Sequence, residues 1–196
     1  MRLRVPLLIP ALAAAVLGIG ASGASAATLF TTAAHTTRVA IGDTAGATST
    51  SSYFVHAGPA RINSCTHRSV HLVLDENGSS RVKETVIADN TTPCVSPMTS
   101  NTSPAWSLTI TGTGTASGGF TRWSAAIDGV SFNLLGGTYT GNITTGVTVT
   151  QPTAAGSPIC LHMNTAASVA GPLTGDGRLT GTFCLTGAAA AYSLTN

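Results

Sequence analysis

Serines, histidines and carboxylates could together supply nucleophilic catalysis, but here their spacing matches no catalytic motif. The nearest approach to Gly-x-Ser-x-Gly is residues 129–133, where Asn133 stands in place of the last glycine. Alternating apolar residues predict a strand there, whereas that motif needs a strand-to-helix turn. A Ser/His/Asp triad from distant segments stays open, because its members need not be close in sequence. The sequence therefore assigns no catalytic residue, and we expect a protein that is not an enzyme.

Metal-binding spacing is also missing. His67 and His71 are four residues apart, but in a strand that spacing separates them by about 13 Å, too far for one ion. No Cys-x2-Cys pair is present, although a tetrahedral zinc site usually has one. Asp128 and Asp176 each precede a glycine and are explained by turns. We expect no metal and no cofactor.

Aromatic residues are the best candidates for a binding surface. Trp106, Trp123 and Tyr139 could stack on a sugar or an apolar ligand if they lie on an exposed sheet face. Trp106 and Trp123, however, each begin a row of alternating apolar residues, which favours a place in the core. A ligand-binding surface and a place in the core both stay open for these residues, and the alternation favours the core.

The first 26 residues predict export. Arg2 and Arg4 form a basic start, residues 5–19 are apolar, and Ala24-Ser25-Ala26 ends the segment. This order is typical of a secretory signal peptide cut between Ala26 and Ala27. A membrane anchor is the alternative, but an apolar run of about 15 residues is shorter than the ~20 that span a bilayer. We therefore expect a secreted protein, extracellular or at the cell surface, with no membrane span in the mature chain.

Composition excludes several partners. Removing 26 of the 196 residues leaves 170, enough for one domain with a substantial core. Two of the nine Lys and Arg residues lie in the leader, so seven basic residues face seven acidic ones. Without a basic stripe or a polybasic segment, neither nucleic acid nor an anionic membrane surface is expected as a partner.

The mature chain is organised as strands and turns. Residues 27–52 are rich in Ala, Thr, Ser and Gly, which predicts a flexible arm with one early strand at 37–41. Period-two alternation predicts strands at 70–74, 106–111, 123–127, 130–134 and 147–149. Predicted turns lie at Asn77-Gly78, Asp128-Gly129, Gly136-Gly137 and Asp176-Gly177. We therefore expect residues 53–196 to form a single all-β domain, an antiparallel β-sandwich with a β-barrel as the alternative.

Four cysteines, an even number in an exported chain, predict disulfides. Cys65, Cys94, Cys160 and Cys184 allow three connectivities. A hairpin centred on Asn77-Gly78 pairs position 65 with about position 90. Cys94 is only a few residues further on, so one bulge or a frayed end would bring it to Cys65. Cys160–Cys184 is then chosen mainly by elimination.

Several short segments resemble small secreted all-β proteins of actinobacteria, an uncharacterised group with four spaced cysteines. They are INSCTH (62–67), Cys94, WSLTITG (106–112), SPIC (157–160) and GTFC (181–184). The resemblance implies secretion, disulfides and a β fold, and it transfers no catalytic residue. Residues 173–183 resemble strands of avidin-like barrels, but the ligand-facing tryptophan series of avidin is not matched, so biotin binding is not implied.

These observations favour a non-enzymatic role, structural or binding, at the cell surface or in the medium. The partner is unknown, and a cell-surface component or a polysaccharide is the class to be expected. A barrel or module that binds a carbohydrate or another small ligand is the first alternative, and a hydrolase with a dispersed site is the second. A cleft lined with aromatic residues would favour the ligand-binding alternative. A His close to a Ser and an Asp would favour the hydrolase.

Overall fold

A computed structural model of the chain describes residues 27–49, 53–57, 60–78, 81–100, 105–154, 156–164, 168–169 and 177–196. The predicted signal peptide, residues 1–26, lies outside the described residues. The strands are β1 (Thr28–Phe30), β2 (Thr44–Ser49), β3 (Tyr53–Ala57), β4 (Ala60–Gly78), β5 (Arg81–Cys94), β6 (Met98–Ser100), β7 (Trp106–Ser117), β8 (Phe120–Leu134), β9 (Gly137–Ile143), β10 (Val147–Pro152), β11 (Cys160–Met163), β12 (Ser168–Val169), β13 (Gly177–Thr186) and β14 (Ser193–Thr195), with a short 3-10 helix at Gly187–Ala191. No helix in this part of the chain is long and apolar enough to cross a membrane.

Eight strands form a closed antiparallel barrel. Pairing runs through β2, β4, β5, β7, β8, β10, β11 and β13, and β13 pairs with β2 to complete the ring. The all-β prediction is confirmed, but the preferred sandwich is wrong and the alternative barrel is correct. Alternation reports only that one sheet face is buried, which holds for both folds. The β8–β10 and β13–β2 pairings decide between them, and these are not local in sequence.

The predicted flexible arm is wrong for the described residues 27–49. β2 is a full member of the barrel, with Ala47 opposite Val70 on one side and Leu185 on the other. β3 continues in the same position, between β4 and β13. The early strand predicted at 37–41 is reduced to one bridge between Arg38 and Phe30. Small side chains fail to suggest a strand locally, but they fit where two neighbouring strands supply the larger apolar groups.

Two predicted turns lie elsewhere. Asp128-Gly129 does not end a strand, because β8 runs through it with a bulge in its pairing to β9. Gly129 has φ +70°, the left-handed conformation that a bulge often requires and glycine adopts without strain. The second case is the turn predicted at Gly136-Gly137. The β8–β9 turn falls one residue earlier, on Leu135 and Gly136, and both residues have positive φ. Asp176 lies outside the described residues.

The β4–β5 hairpin is also longer than predicted. Asn77 and Gly78 are its last β4 residues and pair with Val82 and Arg81. The pairing of the two strands thus continues past the predicted turn, and residues 79–80 lie outside the described residues. Relative to a hairpin centred on Asn77-Gly78, the partner of Cys65 moves by four residues, so Cys94 comes directly opposite it. Two compensating register shifts, at His71/Leu72 and Leu74/Glu76, lie between the two ends of the hairpin.

Both predicted disulfides are confirmed. Cys65–Cys94 links β4 to β5, and Cys160–Cys184 links β11 to β13. Each pair occupies directly opposed positions on adjacent strands. The elimination argument thus selected the correct second pair, although no local hairpin indicated it.

A two-stranded ribbon crosses one end of the barrel. β1 and β14 pair antiparallel and form a separate small sheet, with Leu29 opposite Leu194. Both leucines are buried and face the barrel interior. The ribbon therefore acts as a plug assembled from the two ends of the described chain.

Candidate functional site

The barrel encloses a cavity of about 80 Å³. Alternation on the long strands directs Leu72, Leu108, Ile110, Val149 and Leu179 toward it. Every described side chain that lines it is apolar. None of the described lining residues carries a charge, so this lining suits an apolar occupant better than a polar one.

On one side, the cavity is lined by a small side chain. β2 contributes Ala47, whereas the strands on either side contribute Val70, Leu72 and Leu185. Larger residues at position 47 would occupy space that is left empty. At a slope of ~24 cal/mol per Å³, a void of about 80 Å³ costs on the order of 2 kcal/mol of stability.

Three polar side chains hold the plug over this cavity. Asn77 accepts a hydrogen bond from the Leu29 N–H at 2.7 Å and donates to the Leu29 carbonyl at 2.8 Å. Gln151 accepts from the Leu194 N–H at 2.7 Å. Asn196 accepts from the Trp123 indole N–H at 3.1 Å, just beyond β14. Each bond satisfies a group at the rim, and together they fix both strands of the plug.

The candidate aromatic residues lie inside the molecule. Trp106 is 6% exposed and lines the cavity, while Trp123 is 2% exposed and packs toward the plug end. Tyr139 is 0% exposed, and its ring stacks on Phe132 with a centroid separation of 5.0 Å. None of the three presents an open face to solvent. The sequence thus identified one cavity residue, Trp106, without locating the cavity.

The buried Tyr139 hydroxyl has no hydrogen-bond partner in the described part of the chain. Burial raises the pKa of Tyr139, because the phenolate would lose its hydration. At neutral pH the phenol is therefore un-ionised. Its ring is buried and packs on Phe132 in the core.

The outer face of the barrel holds a polar cluster near the second disulfide. His162 on β11 is bonded through Nε2 to Thr150 Oγ1 at 2.7 Å and through Nδ1 to Thr182 Oγ1 at 3.0 Å. Burial, and secondarily the positive charge of Arg122, lower the pKa of His162. Both effects favour the neutral imidazole, which two threonine hydroxyls can satisfy.

Among the described residues, no group of three His, Cys, Asp or Glu side chains is arranged to hold a metal ion. His67 and His71 both belong to β4, as the alternation indicates. Ser131, the centre of the Gly-x-Ser-x near-match, lies within β8. The lining also includes residues that lie outside every predicted strand, among them Ala47, Leu29 and Leu194. The sequence pattern around them is weak, because alanine contributes little to an apolar alternation and because β1 and β14 are only three residues long.

Comparison with family models, with curated proteins and with solved structures finds no match to this chain.

Proposed function

We propose that this is an exported β-barrel that binds a small apolar molecule in its interior. The observation that carries the proposal is the cavity of about 80 Å³ with a wholly apolar described lining. Eight-stranded barrels have interiors wide enough either to be filled by side chains or to hold one small ligand. The empty space lowers stability, so its presence favours an interior that holds a small ligand.

The lining defines the class of ligand. An apolar cavity of about 150 Å³ in an unrelated protein stays dry and binds benzene or xenon. The space here is about half as large, so it suits a short hydrocarbon group, with a single benzene ring as the upper limit of size. The carbohydrate alternative is disfavoured, because Trp106 and Trp123 are 6% and 2% exposed and offer no surface for stacking on a sugar.

Export is part of the proposal and is supported by the leader pattern and by the absence of free cysteines among the described residues. Stable disulfides are typical of oxidising compartments. Protein recovered from culture medium should begin at Ala27 or within two residues of it by N-terminal sequencing. A mature protein that retains Met1 would contradict this part of the proposal.

Benzene tests the cavity directly. A ligand that binds only the folded state raises stability by RT ln(1 + [L]/Kd). We expect millimolar benzene to raise the melting temperature of the mature, oxidised protein. Ala47→Leu should remove that increase, because the leucine side chain occupies the cavity. Ala116→Leu, the same change on an exposed β7 position, is the matched control and should keep it.

A second variant keeps the test decisive if the leucine in Ala47→Leu is too large for the core and destabilises the protein. Leu108→Ala enlarges the cavity and should increase the benzene-induced stabilisation, although it lowers the melting temperature without ligand. Equal benzene effects in the parent, Ala47→Leu and Leu108→Ala would overturn the proposal.

A further inference from the structure

A second cleft, of about 310 Å³, lies outside the barrel. It is bordered by the loop after β1, the end of β10 with the turn that follows, and the 3-10 helix with β14. Leu194 lines both this cleft and the barrel cavity, so the two spaces are adjacent at this residue. The cleft lining includes His35, Gln151, Tyr192 and Ser193.

Within this cleft a histidine and a serine from opposite ends of the described chain meet. His35 Nε2 lies 2.5 Å from Ser193 Oγ, although the two residues are 158 positions apart. Ser193 is 1% exposed, whereas His35 is exposed on the rim. With Nε2 unprotonated, the serine hydroxyl donates to the imidazole, which is the arrangement of a nucleophile with its general base.

Both partners are held in place by the plug. Phe30 on β1 pairs with Ser193 on β14, and the Phe30 ring lies 5.2 Å from the His35 ring, centroid to centroid. The His35 N–H donates to the Thr32 carbonyl at 3.1 Å in a tight turn. The same strand pair therefore positions the serine directly and the histidine through ring packing.

The backbone of His35 is in the left-handed region, with φ +53°. Only one other described non-glycine residue, Leu135, has a positive φ, and it lies in a hairpin turn. Side chains raise the energy of this conformation, and it is found at functional sites where the surrounding structure enforces it. At residue 35 it brings the imidazole to the serine.

We propose that His35 and Ser193 form a second, catalytic site that hydrolyses small uncharged esters. Ser193 Oγ bonds to the ester carbonyl carbon while His35 Nε2 takes the hydroxyl proton. The ester C–O bond then breaks, and the alcohol leaves with that proton. A water molecule next attacks the acyl carbon, giving its proton to His35. The acid departs, and the proton returns to Ser193 Oγ.

The cleft lining defines the substrate and the expected rate. His35 is the only ionisable His, Asp, Glu, Lys or Arg among the described lining residues, and Ala154, Ala190 and Ala191 leave room beside it. This favours a short, uncharged acyl ester. In the described part of the chain no carboxylate is hydrogen-bonded to His35 Nδ1. Losing the orienting carboxylate from a serine triad lowers the rate about 10⁴-fold, so slow turnover is expected.

Hydrolysis of p-nitrophenyl acetate by the mature, oxidised protein tests the site. We expect slow turnover with an initial burst, because acetyl-Ser193 accumulates. Ser193→Ala and His35→Ala should each remove turnover, whereas His71→Ala, an exposed histidine on β4, should leave it unchanged.

Covalent labelling with a fluorophosphonate detects a reactive serine directly. A purely structural role of Ser193 and His35 would give no such labelling. The mass increase should map to the peptide that contains Ser193 and should disappear in Ser193→Ala and weaken at least tenfold in His35→Ala. Parent and variants should have similar melting temperatures. Unchanged ester hydrolysis in folded Ser193→Ala, or a label on another residue, would overturn the proposal, and so would absence of both turnover and labelling.

Discussion

The clearest electrostatic prediction at the residue scale concerns His162. Its neutral form is favoured by burial and, secondarily, by Arg122, so its pKa is lower in the folded state than in the unfolded chain. As the pH falls through about 6.5, the usual histidine value, the unfolded state binds the proton first. The stabilising contribution of neutral His162 is therefore present above that pH and is lost in mildly acidic solution.

The corresponding prediction compares His162→Gln with the parent protein. The free energy of unfolding of the parent should fall between about pH 7 and pH 5, and the fall should be smaller in His162→Gln. Glutamine keeps polar atoms near Thr150 and Thr182 but has no titrating group. Urea unfolding at a series of pH values measures the difference. Parallel pH profiles for the two proteins would contradict the assignment.

A second residue-scale prediction concerns the Tyr139 hydroxyl. A buried polar group without a partner lowers stability by about 1–3 kcal/mol. Tyr139→Phe removes the hydroxyl and keeps the ring that stacks on Phe132. The variant should be as stable as the parent or up to about 1 kcal/mol more stable by thermal unfolding. A loss of 1 kcal/mol or more would show that the hydroxyl is hydrogen-bonded in solution.

At the scale of elements, one of the three polar side chains that hold the plug comes from the β4–β5 hairpin. Asn77 at the end of β4 bonds to both backbone groups of Leu29 and donates to the Val39 carbonyl at 2.8 Å. Three backbone groups outside the barrel sheet are thus satisfied by a single amide. Asn77 makes these bonds from a paired position in β4.

Asn77→Ala should therefore loosen the plug and leave the barrel intact. Unpairing three backbone groups should lower the free energy of unfolding by about 2–4 kcal/mol. Amide hydrogen exchange at Leu29 and Val39 should accelerate much more than exchange at Leu108 on β7. Asn133→Ala on β8 is the control, because the Asn133 side chain is exposed and accepts a bond from Thr138. Uniform acceleration across the whole barrel would contradict a local role.

The elements also show how far local sequence carries the fold. Strand positions at 70–74, 106–111 and 147–149 follow from alternation, because each buries one face. Asp128-Gly129 misleads, because the same dipeptide suits a turn and a bulge, and only the pairing to β9 distinguishes them. The His35–Ser193 pair could not be derived, since it depends on β1 meeting β14 across the molecule.

At the scale of the whole molecule, barrel closure depends on strands distant in sequence. Cys160–Cys184 staples β11 to β13, and β13 then pairs with β2. Cys65–Cys94 staples the first long hairpin. The cross-links therefore secure two separate parts of the ring, and neither one duplicates the other.

Removing either disulfide should lower stability by a similar amount. The bridged cysteines are separated by 29 and 24 residues, and loops of that size correspond to about 3.5 kcal/mol each in the chain-entropy model. Cys65→Ala with Cys94→Ala, or Cys160→Ala with Cys184→Ala, should lower the melting temperature by roughly 7–14 °C, given ~2–4 °C per kcal/mol for a domain of this size.

Losing both bridges should remove about 7 kcal/mol, much of the 5–15 kcal/mol that stabilises an ordinary domain. The fully reduced protein should therefore unfold cooperatively near physiological temperature, although its interior and strand pairings are unchanged. Circular dichroism melts with and without dithiothreitol measure this, and alkylation confirms that both bridges are open. A reduced protein that melts within a few degrees of the oxidised one would mean that strand pairing and apolar packing stabilise the closed barrel without covalent help.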